Sequence, residues 1–200
     1  RRNQDFIEKS GVESHILLLD WEKAFDRVDQ NMLIHALRHQ GVHENHIELV
    51  ERLYADPTFK VQIEGKESQD YPQESGIRQG CPLSRYLFIL CLDTIFEIIR
   101  REFAEEENLR GTKGLNLDFN HLLYADGTLV IAGNKRTAEI ILHKIEKVSG
   151  AFGLNLNKEK CIAIQTKIKP DRLFTDGTKM PNETTAEYLG SQLNEKANTD

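Results

Sequence analysis

Cysteine, methionine and tryptophan are scarce in this 200-residue chain, and no apolar run is long. Three cysteines (Cys81, Cys91 and Cys161), an odd number, make no disulfide framework, which favours a reducing compartment inside the cell. No stretch approaches the ~18 apolar residues that a transmembrane helix needs. The opening Arg1-Arg2-Asn3-Gln4-Asp5 carries no apolar segment of a secretory signal. The five prolines and 13 glycines are not gathered into a linker, and no repeat or low-complexity tract is visible. Excess positive charge is missing too. Lys and Arg number 26 against 32 Asp and Glu, a net charge of −6, which argues against a simple basic coat for nucleic acid. What is present is an ordinary globular composition, 39% hydrophobic and 29% charged, long enough for one sizeable core. Position 1 is not Met and residues Ala197 to Asp200 are polar, so the chain reads as a fragment cut from a longer protein.

Strand and helix patterns alternate. His15 to Leu19 is a short apolar run suited to a strand buried on both faces, and it ends at Asp20. Asp29 is placed to cap a helix through Met32, Leu33, Ala36 and Leu37, with Gly41 just past its end. A second helix covers Ile47 to Tyr54 and stops before Pro57. Phe59, Val61 and Ile63 alternate as in a strand, with Gly65-Lys66 as a turn into its partner. Leu83 to Phe103 reads as a long helix with a broad buried face. His121 to Tyr124 and Leu129 to Ile131 flank Ala125-Asp126-Gly127-Thr128, a hairpin signal. Ala138 to Val148 is an amphipathic helix that Gly150 or Gly153 ends, Cys161 to Ile164 is a strand, and Asp176-Gly177 suggests another hairpin. The order predicts an α+β layer: one antiparallel-rich sheet backed by helices.

Asp20 ends one buried run, and Asp126 tips the hairpin of another. Neighbouring strands would bring the two carboxylates within reach of one Mg²⁺, an ion that takes hard oxygen ligands. Spacing alone leaves open the plainer reading, in which Asp20 caps a turn and Asp126 is a hairpin-turn residue. Ser75-Gly76-Ile77-Arg78-Gln79-Gly80-Cys81-Pro82-Leu83-Ser84 places glycines before a helix N-terminus, which suits a phosphate, with Arg78 and Gln79 as further donors.

These residues resemble a known family. Asp20-Trp21-Glu22-Lys23-Ala24-Phe25-Asp26 is similar to the first palm motif of reverse transcriptases, especially those of non-LTR (LINE-type) retrotransposons and group II introns. Ser75 to Ser84, with Leu87-Phe88, resembles the second motif. Leu123-Tyr124-Ala125-Asp126 sits where the family has a Tyr-Ala-Asp-Asp hairpin. Gly153 to Cys161 resembles the next motif, with Lys160 at its lysine position, and Tyr188-Leu189-Gly190 the small one beyond.

The resemblance implies a polymerase palm with a ferredoxin-like antiparallel sheet and partial fingers. Residues 1–200 would be a reverse transcriptase domain fragment, with basic N-terminal fingers and a C-terminal thumb lying outside it. It implies RNA-directed DNA polymerase activity on an RNA template, a DNA or RNA primer and dNTPs, with no membrane and a nuclear site if eukaryotic. Asp20 and Asp126 would hold two Mg²⁺ (or Mn²⁺) ions that polarise the dNTP α-phosphate and lower the pKa of the primer 3′-hydroxyl. Phe25 occupies the position whose bulk excludes a ribose 2′-hydroxyl; a plain core role is the alternative. Gln79 and Gly80 would border the nucleotide pocket, with Ala24 and Tyr124 beside them in the motifs. Arg78 would reach phosphate or template backbone, or stand solvated. Lys160 would donate a proton to the pyrophosphate leaving group, contact phosphate, or lie on a solvated face of the Lys158-Glu159-Lys160 run. In this frame the −6 is that of a palm without its basic neighbours, and the segment alone should bind RNA–DNA duplex weakly and in a salt-dependent way.

Two departures stand out. The family's hairpin has a second aspartate where this chain has Gly127, which supplies no ligand, while Asp-Gly keeps the turn. Arg85 replaces the usual proline in the first helical turn, a milder change. Neither Asp26, part of the first motif, nor Asp118, too far along its strand, replaces the missing carboxylate. A weak or inactive copy is therefore expected. The competing readings are a catalytically dead nucleic-acid-binding remnant and a Mg²⁺-dependent phosphohydrolase using Asp20 and Asp26.

Overall fold

The computed structural model describes residues 15–110, 119–124, 127–132, 135–165, 173–183, 185–188 and 191–194. Strand β1 (His15–Leu19) is the apolar run read from the sequence, and all five of its residues are buried. It feeds a short helix α1 (Ala24–Arg27), then α2 (Gln30–His39) and α3 (Glu44–Leu53). Asp29 caps α2 as expected: its Oδ1 accepts from the Met32 N–H at 2.8 Å. Gly41 follows the helix at φ 71, the left-handed conformation a glycine adopts without strain.

The single strand expected over 59–63 is broken. Four two-residue pieces form instead: β2 (Thr58–Phe59), β3 (Gln62–Ile63), β4 (Lys66–Glu67) and β5 (Tyr71–Pro72). Phe59 pairs with Tyr71 but Gln62 pairs with Glu67, so the register slips by one residue between the two ladders, as at a bulge. The turn is Glu64-Gly65 rather than Gly65-Lys66. Both residues sit at positive φ, 50 and 78, which a two-residue hairpin turn requires.

Helix α4 (Pro82–Arg110) is the long apolar segment, and it packs against α2 and α5 (Lys135–Ala151). Between α4 and α5 lies the hairpin β6 (Phe119–Tyr124) and β7 (Gly127–Ala132). Strand β8 (Ile162–Gln165) follows α5, then β9 (Asn182–Glu183) and the separate hairpin β10 (Thr185–Tyr188) and β11 (Ser191–Asn194). The turn expected at Asp176-Gly177 closes only an isolated bridge, Leu173 to Lys179. Asp176 serves this turn and a distant lysine: Oδ1 accepts from the Thr178 N–H at 2.9 Å and Oδ2 from Lys158 at 2.6 Å.

The main sheet runs β6-β7-β1-β8-β9, with the first four strands mutually antiparallel and β9 parallel to β8. With helices between β1 and β6 and α5 between β7 and β8, this is the α+β layer the sequence predicts, in the ferredoxin-like β-α-β-β-α-β order the resemblance implies. The period of two along β1 splits the core. Leu17 and Leu19 join Val130, Ala163 and the helices in the large cluster. Ile16 and Leu18 join Leu129 and Ile164 on the other face, which Ala186 of β10 helps cover.

Candidate active site

Asp20 is the first residue past the central strand, and its side chain is about one-third exposed (34%). Leu19 pairs with Thr128 of β7, so the next residues outward are Asp20 on one strand and Gly127 on the other. Gly127 in turn pairs with Tyr124 of β6. Residues 125 and 126 link that pair. Asp126 lies outside the described residues, as does the side chain of Tyr124. Asp118 lies outside them too. Among the described residues, no three His, Cys, Asp or Glu side chains gather as a metal cluster. Asp20 still fits a hard divalent cation by its chemistry, because Mg²⁺ takes one or two carboxylates and fills its shell with water and substrate oxygens.

Residues after Asp20 are held by the segment that follows α5. Trp21 bridges to Leu156, the Glu22 N–H donates to Asn155 O at 2.9 Å, and the Asn157 N–H donates to Asp20 O at 2.9 Å. The Trp21 indole, 4% exposed, donates to Thr128 Oγ1 at 3.0 Å and ties the end of β1 to β7. No sequence signal marked this bond, since the partners lie 107 residues apart. Trp21→Phe leaves the fully buried Thr128 hydroxyl without its donor and is expected to destabilise the fold by about 1–3 kcal/mol in urea denaturation. A loss below a few tenths of a kcal/mol would show the bond to be idle.

The same segment sorts the two lysines of Lys158-Glu159-Lys160. Lys158 is engaged by Asp176, by Glu146 at 3.5 Å and by the Phe174 ring at 5.0 Å. Its ammonium, with the Thr178 N–H, holds the Asp176 carboxyl well below the usual carboxylate range. Lys160 is 69% exposed and sits with Nζ 3.9 Å from Asp20 Oδ2. At that exposure the pair itself contributes little stability, but it places a cation beside the candidate metal carboxylate.

The second motif is stitched onto the first. Gly76 N–H donates to Val28 O at 2.8 Å and Ile77 N–H to Phe25 O at 2.7 Å. Ser75 Oγ donates to Asp26 O, and Gln30 Nε2 to Gly76 O, each at 3.0 Å. Gly76 is required here: at φ 88, a Cβ would lie 2.7 Å from Asp26 O. The loop ends in Gly80 at φ 81 before α4 begins.

A cavity of about 790 Å³ opens where these pieces meet, lined by Phe25, Gln79, Gly80, Arg85, Tyr86 and others of the α4 N-terminus. Phe25 serves both readings. Its ring stacks on the buried Phe88 at 5.1 Å and also lines the cavity. Gln79 and Gly80 line it as the sequence suggests. Ala24 is buried in the core instead. Arg78 donates to Leu53 O at 3.3 Å, at the carbonyl end of α3 where a cation is favoured. Tyr86, 68% exposed, and Arg85 were not anticipated as cavity wall. The helical phase carried the signal, since both fall off the face marked by Leu87, Cys91 and Thr94. Cys81 also lines the cavity. The Leu83 and Ser84 N–H groups at the helix N-terminus lower its thiol pKa, whereas burial pushes Cys91 up to about 12 and Cys161 up to about 11.

A family model described as reverse transcriptase (RNA-dependent DNA polymerase) matches residues 2–193. The chain is 27% identical over 161 residues to the retrovirus-related Pol polyprotein from type-2 retrotransposable element R2DM of Drosophila melanogaster, covering 80% of this chain and 15% of that protein. It is 31% identical over 99 residues to the transposon TX1 uncharacterized 149 kDa protein of Xenopus laevis, covering 50% of this chain and 8% of that one. Among solved structures, it superposes on apo telomerase from Candida tropicalis, truncated from the C-terminal domain, with a TM-score of 0.68 at 20% identity. That match covers 100% of this chain and 38% of the other. The chain thus spans well under half the length of each of these proteins, and the telomerase likeness speaks for the fold. No helix among the described residues is long and apolar enough to cross a membrane.

Proposed function

This chain belongs to the reverse transcriptase family, and from that membership we propose that it is the palm, with part of the fingers, of an RNA-directed DNA polymerase. The reaction is nucleotidyl transfer from a dNTP to a primer 3′-hydroxyl along an RNA template. The observation that supports it most is the register of the central strands, which brings Asp20 and Gly127, the residue after Asp126, to the same end of the sheet. Asp20 and Asp126 would hold the divalent ions, Mg²⁺ or Mn²⁺. A metal bound there supplies Lewis-acid stabilisation of the phosphoryl oxygens.

The chain's own residues supply the rest. Asp20 offers a carboxylate on a strand end whose backbone is fixed on both sides, so little reorganisation is needed when a cation arrives. Lys160, 3.9 Å from Asp20, places an N–H donor and a positive charge where a polyphosphate enters. Phe25, braced by Phe88, supplies rigid bulk against a 2′-hydroxyl. Gln79 and Gly80 border the nucleoside, with Tyr124 at the hairpin and Arg78 toward template backbone. The enzyme would work inside the cell, in the nucleus if eukaryotic.

Gly127 favours a second reading, a nucleic-acid-binding remnant that kept the fold and lost the chemistry. A phosphohydrolase built on Asp20 and Asp26 has less support, because the Asp26 carboxylate is engaged by Gln79. Primer extension on RNA with and without Mg²⁺, using the chain and its Asp20→Asn variant, tests these readings. Polymerase function predicts metal-dependent extension that falls at least about a hundredfold in Asp20→Asn. Binding of primer–template with no extension at any metal concentration points to the remnant.

A further inference from the structure

We propose that Asp26 is a positioning residue that holds the Gln79 amide in the orientation in which it meets a nucleotide; this rests on the reading of the cavity as the dNTP site. Gln79 Nε2 donates to Asp26 Oδ1 at 2.8 Å, across 53 residues of sequence. Gln79 lines the cavity beside Phe25, and Phe25 precedes Asp26 directly. The short helix α1 thus presents an aromatic wall and an anchor for the amide opposite it.

A glutamine side chain on an exposed loop samples many rotamers, and ordering it on binding costs affinity. The Asp26 carboxylate removes that cost in advance by accepting a hydrogen bond from one of the two Nε2 N–H groups. The remaining N–H and the Oε1 acceptor then form a fixed donor–acceptor pair, suited to a group such as a sugar hydroxyl that both donates and accepts. The loop backbone does not depend on this bond. Its attachments are to Val28 O, Phe25 O and Asp26 O and from Gln30, none of which uses the Asp26 carboxylate. Removing the carboxylate therefore frees the amide without releasing the loop, so positioning and folding are separable.

The test is equilibrium dialysis of radiolabelled dATP with Mg²⁺ against the 200-residue chain and its Asp26→Ala, Asp26→Asn, Gln79→Ala and double Asp26→Ala/Gln79→Ala variants, with Tm recorded for each. Asp26→Ala is expected to raise Kd about three- to tenfold at unchanged Tm, the scale of one immobilised side chain. Asp26→Asn keeps an acceptor oxygen and is expected to stay within about twofold of the parent. The double variant is expected to match Gln79→Ala, because the aspartate acts only through the glutamine. Asn as damaging as Ala would assign the effect to charge and overturn the proposal. So would additive losses, or a Gln79→Ala chain that binds like the parent. If the parent itself takes up no dATP, the reading of the cavity as a nucleotide site fails and this inference goes with it. Tight parental binding that is indifferent to Asp26 sinks this inference alone.

Discussion

Gly127→Asp is expected to raise Mg²⁺-dependent primer extension by about a hundredfold or more. A metal clamp supplies several kcal/mol of transition-state stabilisation, and each ~1.4 kcal/mol is tenfold in rate. Position 127 opens β7, one step outward from the Leu19–Thr128 pair and level with the strand end that carries Asp20. A carboxylate there adds a hard ligand and a negative charge at the edge where the metals are proposed to sit. The fold has little to lose, since Gly127 closes its hairpin by pairing with Tyr124 and the strand beyond it is anchored by buried Thr128, Leu129 and Val130. The outcome to measure is the single-turnover rate on an RNA template for the chain and the variant. Equal rates would mean that the chain already has a complete metal site, and the account of Gly127 as its weak point would be wrong.

Gly153→Ala is expected to destabilise the protein by roughly 2–5 kcal/mol, combining the cost of a left-handed non-glycine residue with a steric clash against backbone. Gly153 sits at φ 77 just beyond α5, and an added Cβ would stand 2.3 Å from Arg27 O and 3.1 Å from Asp29 N. Neither atom is free to give way. Arg27 ends α1, and the Asp29 N–H donates to Phe152 O at 2.9 Å, so this is where the chain after α5 docks onto the first motif. The same segment continues to Asn157, which holds Asp20 O, and to Lys160. Urea denaturation should show the loss, and Gly150→Ala serves as the control. Gly150 lies inside α5 with open space around its Cβ position, so alanine there is expected to be neutral or stabilising by up to about 1 kcal/mol. Similar midpoints for the two variants would remove the close approach as the reason for glycine at 153.

Much of the fold was legible because its signals are local. Five apolar residues before Asp20 mark a central strand. Asp29 and Gly41 bracket a helix by cap chemistry, and the apolar spacing of 138–148 marks α5. The polar-rich stretch 58–72 was legible only in part. No buried face disciplines its register there, so a one-residue bulge split what the alternation presented as a single strand. Asp176-Gly177 does turn the chain, with Asp176 Oδ1 accepting from the Thr178 N–H and Gly177 at φ 83, but the turn closes only the Leu173–Lys179 bridge, and the other carboxylate oxygen goes to Lys158, 18 residues away.

The candidate site divides along the same line. Residue chemistry by itself singled out Asp20, Asp126, Arg78 and Gln79 and left plainer readings open; the ordered likeness of five short motifs to reverse transcriptases added Phe25, Gly80, Lys160 and nucleotidyl transfer. The resemblance also flagged Gly127, where the family's hairpin has a second aspartate. Only the tertiary structure decided which members meet. It took Lys160 to Asp20 and Lys158 away to Asp176, set Phe25 against both Phe88 and the cavity, buried Ala24, and joined Trp21 to Thr128 and Asp26 to Gln79. Those pairings span from 18 to more than a hundred residues. They are set by how sheet register and helix packing bring distant segments together, and no local pattern of side chains encodes that distance.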